Sequence, residues 1–406
     1  DLREAPETTR DWFAQGELPA SWSGEGDDEE DSRWGEHVNE ARKLISGEMR
    51  LGRPPEDLGE VLASLAVAGP AVCALRALTR ASGAEGRAAV PARNSAARIG
   101  WAFRTLFNLP ESMALIRGAR RDEDVPYWRQ VVDYCAACHL QAVLDEYVHT
   151  LRDLEGLCDK SDEEAHERLA DTVSSALSLR TGTPRVDDIR PRGRSADVLK
   201  RRLRNHFAIR FGAQESEDGQ AVAREGQVRV AFNSPFWPFF LVSTSVGQEG
   251  LDFHVYCHAV VHWNLPSNPV DLEQREGRVH RYKGHAVRKN VARALGGEAL
   301  RGIEEDVWSA LFDLASERSP NDHGLVPYWL YSLSDGARIE RHVPALPLSR
   351  DAYQLEALRR SLAVYRMVFG QPRQDDLMAY LLDRLSAERL EELEPRLRID
   401  LSPPPV

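Results

Sequence analysis

Residues 257–281 read CHAVVHWNLPSNPVDLEQREGRVHR, a short apolar run, a helix-start signal, then a stretch of mixed charge. Ala259–Trp263 has the length and continuous apolar character of a strand buried on both faces, as in parallel sheets. Asn268 offers an N-cap. Pro269 suits the first helical position, where its missing N–H would have no partner anyway. A helix over Pro269–Arg281 turns about 100° per residue, which gathers Gln274, Arg278 and Arg281 within about 60° of one another. One face then presents an amide and two guanidiniums. Leu272 and Val279 pack the other side, and Gly277 admits a close approach. Convergent arginines suit a developing phosphoryl charge, and arginine fingers contribute about 10³–10⁵ in rate. Taken alone, QxxxRxxR fits an ordinary salt-bridged surface helix better, so its neighbours decide the reading.

Upstream, Phe239–Ser243 reads as a strand that runs into Thr244–Asp252. Open α/β sheets bind ligands at the carboxyl ends of their strands. Ser243, Thr244 and Ser245 offer hydroxyls to phosphate oxygens there. Gly247 and Gly250 allow tight turning and expose backbone N–H groups. Asp252 can accept from a ribose hydroxyl or hold an arginine. Ala176–Leu179 and Phe207–Phe211 read as further strands, and Ser195–Arg204 and Ala221–Phe232 as helices between them. Strands separated by helices predict βαβ units and a parallel sheet.

Together, STSVGQEGLDFH (243–254) and residues 257–285 resemble motifs V and VI of superfamily 2 helicases. The pattern QRxGRxxR is complete in Gln274, Arg275, Gly277, Arg278 and Arg281. The phrase WNLPSNPVDLEQREGRVHR is most similar to the remodeller-like branch, which includes the bacterial ATPase that recycles RNA polymerase. The resemblance implies a second RecA-like domain in an ATP-dependent helicase or translocase. Arg278 and Arg281 would be arginine fingers toward the γ-phosphate, with Gln274 at the same cleft. Arg275, Gly277, Gly250 and Asp252 would serve the nucleotide side, the last two coupling it to the track. Ser243, Thr244 and Ser245 would touch the nucleic-acid backbone, with DNA the expected track.

No GxxxxGK[ST] and no strand-borne DEAD-type acid box occurs in the 406 residues. The implied ATP and Mg²⁺ would therefore be held by a first RecA-like domain outside this chain, and the fragment alone would not turn over. A non-catalytic scaffold that keeps the fold is the rival reading. The sequence starts at Asp1, which reads as a fragment or processed product.

The expected class is α/β: a RecA-like parallel sheet at 171–300, between helical regions. Residues 1–60 form an acidic Gly- and Pro-rich entry, 61–170 a helical accessory region, and 301–406 a helical end. In the accessory region Leu140, Leu144, Tyr147, Val148, Leu151 and Leu154 recur at helical spacing. In the last region Leu355, Leu358, Leu362, Tyr365 and Phe369 form one stripe and Leu377, Leu381 and Leu385 another, which either bind a protein partner or brace the sheet. Pro403–Pro405 cannot be helical.

The formal net charge is −12. It conceals two basic stretches, 185–210 with nine Lys/Arg against three Asp/Glu, and 275–293 with seven against one. An acidic body with basic stripes fits an enzyme that handles a phosphate backbone on one face. Five scattered cysteines argue against a disulfide framework and for a reducing, cytoplasmic setting. No run of about 18 apolar residues exists for a membrane span.

Cys135–His139 matches the haem-attachment pattern CxxCH, but buried cysteines on one amphipathic helix explain it more simply. Zinc would need further ligands that the spacing does not supply. Phe236–Phe240 and Trp263 could stack bases, although core packing is the plainer expectation. Packing is also the plainer reading of Cys257 and His258.

Overall fold

The computed structural model describes residues 53–82, 90–119, 125–178, 185–192, 195–202, 221–236, 239–242, 255–299, 306–319, 324–345, 347–368 and 374–397, with 40, 43–44 and 48–49. The chain forms two compact units. One comprises Asp1–His206, Ser234–Trp237 and Gly302–Ser309; the other comprises Phe207–Asn233, Pro238–Arg301 and Ala310–Val406.

The first unit contains α1 (Leu58–Ala68), α2 (Pro70–Ser82), α3 (Val90–Phe107), α4 (Pro110–Ala119), α5 (Tyr127–Ala137), α6 (Leu140–Leu154) and α7 (Asp162–Leu177). α2 packs on α3 and α6, and α3 packs on α7. Leu144, Tyr147, Val148 and Leu151 of the predicted stripe are buried, whereas Leu154 at its end is exposed. Gly100 lets α3 approach α2, since a Cβ there would stand 2.8 Å from the Ala71 Cβ. Phe236 joins this unit edge-on to Phe103 and Tyr147. At the CxxCH pattern, α5 stops at Ala137 and His139 turns through positive φ before α6. The motif therefore straddles a helix junction rather than lying within one helix.

Two expected elements differ in this unit. Residues 176–177 belong to α7, capped at its start by Ser161. The stripe Leu169, Ala170, Val173, Ala176, Leu177 simply continues to the core at helical spacing. Ser195–Arg202 (β2) is a strand, paired antiparallel with β1 (Arg185–Arg192), and the register closes with Arg192 opposite Ser195. The β-branched Val186, Ile189 and Val198 favour a ladder.

The second unit holds α8 (Ala221–Phe232), β3 (Ala259–Val261), α9 (Pro269–Gly277), α10 (His285–Ala299), residues 310–317 of α11 (Val307–Glu317), β4 (Glu340–His342), α12 (Asp351–Met367), α13 (Gln374–Arg384) and α14 (Ala387–Leu397). β3 and β4 pair in parallel, Val260 opposite Arg341. Among the described residues this two-stranded sheet is the parallel part of the fold, and helix dominates.

Phe239–Val242 is not a strand: it has no regular structure, and Phe240 is 84% exposed. Apolar content alone does not make a strand without a neighbour to pair with. β3 is half-buried rather than covered on both faces, with Val261 exposed. In α12, Leu358 and Leu362 are buried as the stripe predicts, but Leu377 in α13 is exposed. Phe207–Phe211, Ser243 and Phe369 lie outside the described residues. Among the described residues no single helix is long and apolar enough to cross a membrane.

Candidate functional site

α9 starts as its sequence requires. The Asn268 Oδ1 accepts from the Val270 N–H at 2.9 Å, and Pro269 occupies the first turn. Leu272 and Val279 are buried, giving the helix its inner side. α9 packs on α12, where Arg366 donates to the Glu273 carboxylate at 2.8 Å. The Gln354 amide of α12 reaches the carbonyls of Leu265 and Pro266.

The helix ends earlier than expected. Gly277 is its last residue, Arg278 is the C-cap, and Arg281 lies beyond it in a turn. Glycine is a weak helix former, and the Val279 N–H closes back on the Glu276 carbonyl at 3.0 Å. Gln274, Arg278 and Arg281 therefore do not share a single helical face. Gln274 and Gly277 are exposed on α9, and Arg278 and Arg281 are half-buried in the segment that follows. Among the described residues, nothing outside its own turn of helix comes within 4 Å of where a Gly277 side chain would begin.

Glu276 fixes this turn to the sheet. Its carboxylate contacts the His262 Nε2 at 3.0 Å and accepts from the Arg341 Nη2 at 2.6 Å and from its Nε. Burial pulls the Glu276 carboxyl upward, but these hydrogen bonds and charges outweigh it and hold the pKa down at about 2. His262 is buried and continues the β3–β4 ladder, its N–H donating to the His342 carbonyl at 2.9 Å. Arg275 folds back so that its Nη1 donates to the Asn264 carbonyl at 2.9 Å.

Part of the basic stretch 275–293 is committed to the interior. Arg288 is 1% exposed and donates to the Lys283 and Val255 carbonyls at 2.7 and 2.8 Å. Arg293 stays exposed and donates to the Asp335 carbonyl. The sequence does carry a signal for Arg288, which lies on the same helical stripe as Val291 and Leu295. It carries none for Arg341, whose link to Glu276 depends on the long return of the chain to β4.

Behind the turn is a cavity of about 240 Å³, lined in part by Cys257, Val279, His280, His285 and Trp329. Burial, with Arg288, His258 and Lys289 nearby, holds the His285 pKa down at about 4. Burial pushes the Cys257 thiol up, and its Sγ lies 3.5 Å from the Ala259 carbonyl, a packing role. Among the described residues no cluster of three or more His, Cys, Asp or Glu is arranged to hold a metal. Ser243, Thr244, Ser245, Gly250 and Asp252 lie outside the described residues.

Residues 218–283 match the helicase conserved C-terminal domain. This segment is a helicase C-terminal domain. The match runs from before α8 to just past the arginine turn, so all ten expected site residues fall within the helicase segment. It ties the chain to helicase-like, nucleic-acid-related chemistry. No curated protein and no solved structure matched the chain.

Proposed function

We propose that this chain supplies the second RecA-like half of a superfamily 2 motor of the remodeller-like branch, working on DNA. What carries the reading is the turn itself. Inside a helicase C-terminal segment, the complete QRxGRxxR set runs from α9 into the segment just beyond it, tied to the sheet through Glu276 and beside the open surface at Gly277. Such a surface fits a polyphosphate: exposed amide, no obstructing side chain, and two guanidiniums on a braced backbone.

In this reading ATP, held with Mg²⁺ by a separate domain, supplies the phosphoryl group whose hydrolysis drives stepping. Arg278 and Arg281 neutralise charge that develops on the γ-phosphoryl oxygens. Gln274 lines the same cleft, and Gly277 keeps it clear. Arg275 braces the backbone that leads into α9. Gly250 and Asp252 couple nucleotide state to the track, and Ser243, Thr244 and Ser245 contact the strand backbone. The surface of α12–α14 is available to a protein partner.

In the intact protein, Arg281→Ala should lower DNA-stimulated ATP turnover by about 10³-fold or more. The measurement is kcat at saturating DNA. Full turnover in the variant would remove Arg281 from the mechanism. Absence of turnover in the unaltered protein, with DNA binding retained, would favour an interaction scaffold.

A further inference from the structure

We infer that Trp263 is a stacking platform for an unpaired base of a single-stranded nucleic acid. The inference rests on the nucleic-acid reading above and adds a contact that the motifs do not contain.

Tryptophan is usually well covered in folded proteins. Trp263 is 70% exposed, and Val261, two residues earlier, is 56% exposed. β3 ends at Val261 and the chain turns at Trp263, which leaves both side chains exposed while His262 between them is buried. A single exposed apolar side chain needs no explanation. An exposed indole on backbone fixed from both sides is a different case.

Before Trp263, His262 is held by the His342 carbonyl through its N–H and by Glu276 through its ring. The Trp263 N–H itself donates to the Val261 carbonyl at 3.1 Å. After it, Arg275 holds the Asn264 carbonyl, and Gln354 holds those of Leu265 and Pro266. The indole is thus presented on an ordered support, which lowers the entropy cost of binding a flat partner. Phe239 and Phe240 are exposed too, but no hydrogen bond fixes their backbone among the described residues.

Charge selects the partner. Trp263 stands next to Asn264, whose carbonyl Arg275 grips, so one guanidinium of the stretch 275–293 lies beside the indole, whereas Arg288 of that stretch is buried. A π-face beside a cation is the combination that binds single strands without reading their sequence.

The test is binding of the intact protein to fluorescein-labelled oligothymidylate and to an abasic strand of equal length, by anisotropy. Trp263→Ala should weaken oligothymidylate binding by about 5- to 100-fold, and Trp263→Phe by no more than a few-fold. On the abasic strand the unaltered protein and Trp263→Ala should bind alike. Equal binding of oligothymidylate by both overturns the platform. An equal loss on both strands also overturns it, because base stacking would not be the cause. Suppression of the Trp263-dependent part by ATP would assign the surface to a nucleotide's base and overturn the strand as occupant. If the unaltered protein binds neither strand, the nucleic-acid reading itself fails. Thermal unfolding of both variants separates loss of fold from loss of contact.

Discussion

At the scale of single residues, Glu276 has the clearest measurable consequence. Its folded pKa of about 2 lies below the ordinary value of 4.5. A depressed carboxyl stabilises the fold above its unfolded pKa, and that stabilisation is lost as pH falls from about 4.5 toward about 2. Glu276→Gln should flatten this acid limb in urea titrations and cost about 1–3 kcal/mol at neutral pH. It should also lower kcat for DNA-stimulated turnover with little change in KM for ATP, because the turn carrying Arg278 loses its tether. Unchanged stability and turnover at neutral pH would show that the carboxylate positions nothing. The spacing of QRxGRxxR singled out Arg278 and Arg281, but the single helical face expected of them is absent because the helix ends at Gly277. The tether was not legible, since Glu276 occupies one of the three unspecified positions of that pattern and Arg341 reaches it only through tertiary folding.

At the scale of elements, local signals succeeded where they act locally. Asn268 and Pro269 start α9, Ala221–Phe232 is a helix, and Leu144 through Leu151 face a core. Strands were harder, because a strand is defined by its neighbour. Ala259–Val261 pairs with Glu340–His342, whereas the more apolar Phe239–Val242 has no regular structure. Closeness between helices is equally invisible to pattern. Glycine to alanine inside a helix normally gains about 1 kcal/mol. Gly226→Ala in α8, where a Cβ meets nothing within 4 Å, should follow that rule. Gly100→Ala should instead destabilise, by about 1 kcal/mol, because the new methyl presses on Ala71 and overpacking outweighs the helix gain. Denaturant midpoints of the two variants should move in opposite directions, and a stabilised Gly100→Ala would mean that α2 and α3 give way easily.

At the scale of the whole molecule, composition bounded the outcome without specifying it. The net charge of −12 does coexist with basic stretches, but Arg288 and Arg293 show that some of the positive charge braces the second unit. A further acid sensitivity follows from His285, whose pKa of about 4 lies below the ordinary 6.5. Its neutral form is the folded one, so stability is complete above about 6.5 and declines as pH falls toward about 4. Urea midpoints compared at neutral pH and near 4.5 should fall less for His285→Gln than for the unaltered protein. Equal falls would exclude burial of this imidazole as a cause. The pairing of β3 with β4 also bears on how the helicase segment can be handled. Its strand partner lies at Glu340–His342, far beyond residue 283 where the family match ends. A recombinant piece trimmed to the match, or stopped at residue 300, would leave the edge of β3 bare and the Glu276 carboxylate without its guanidinium. Such a piece should aggregate or misfold on expression, whereas one extended past His342 and α12 keeps the arginine turn on its own scaffold.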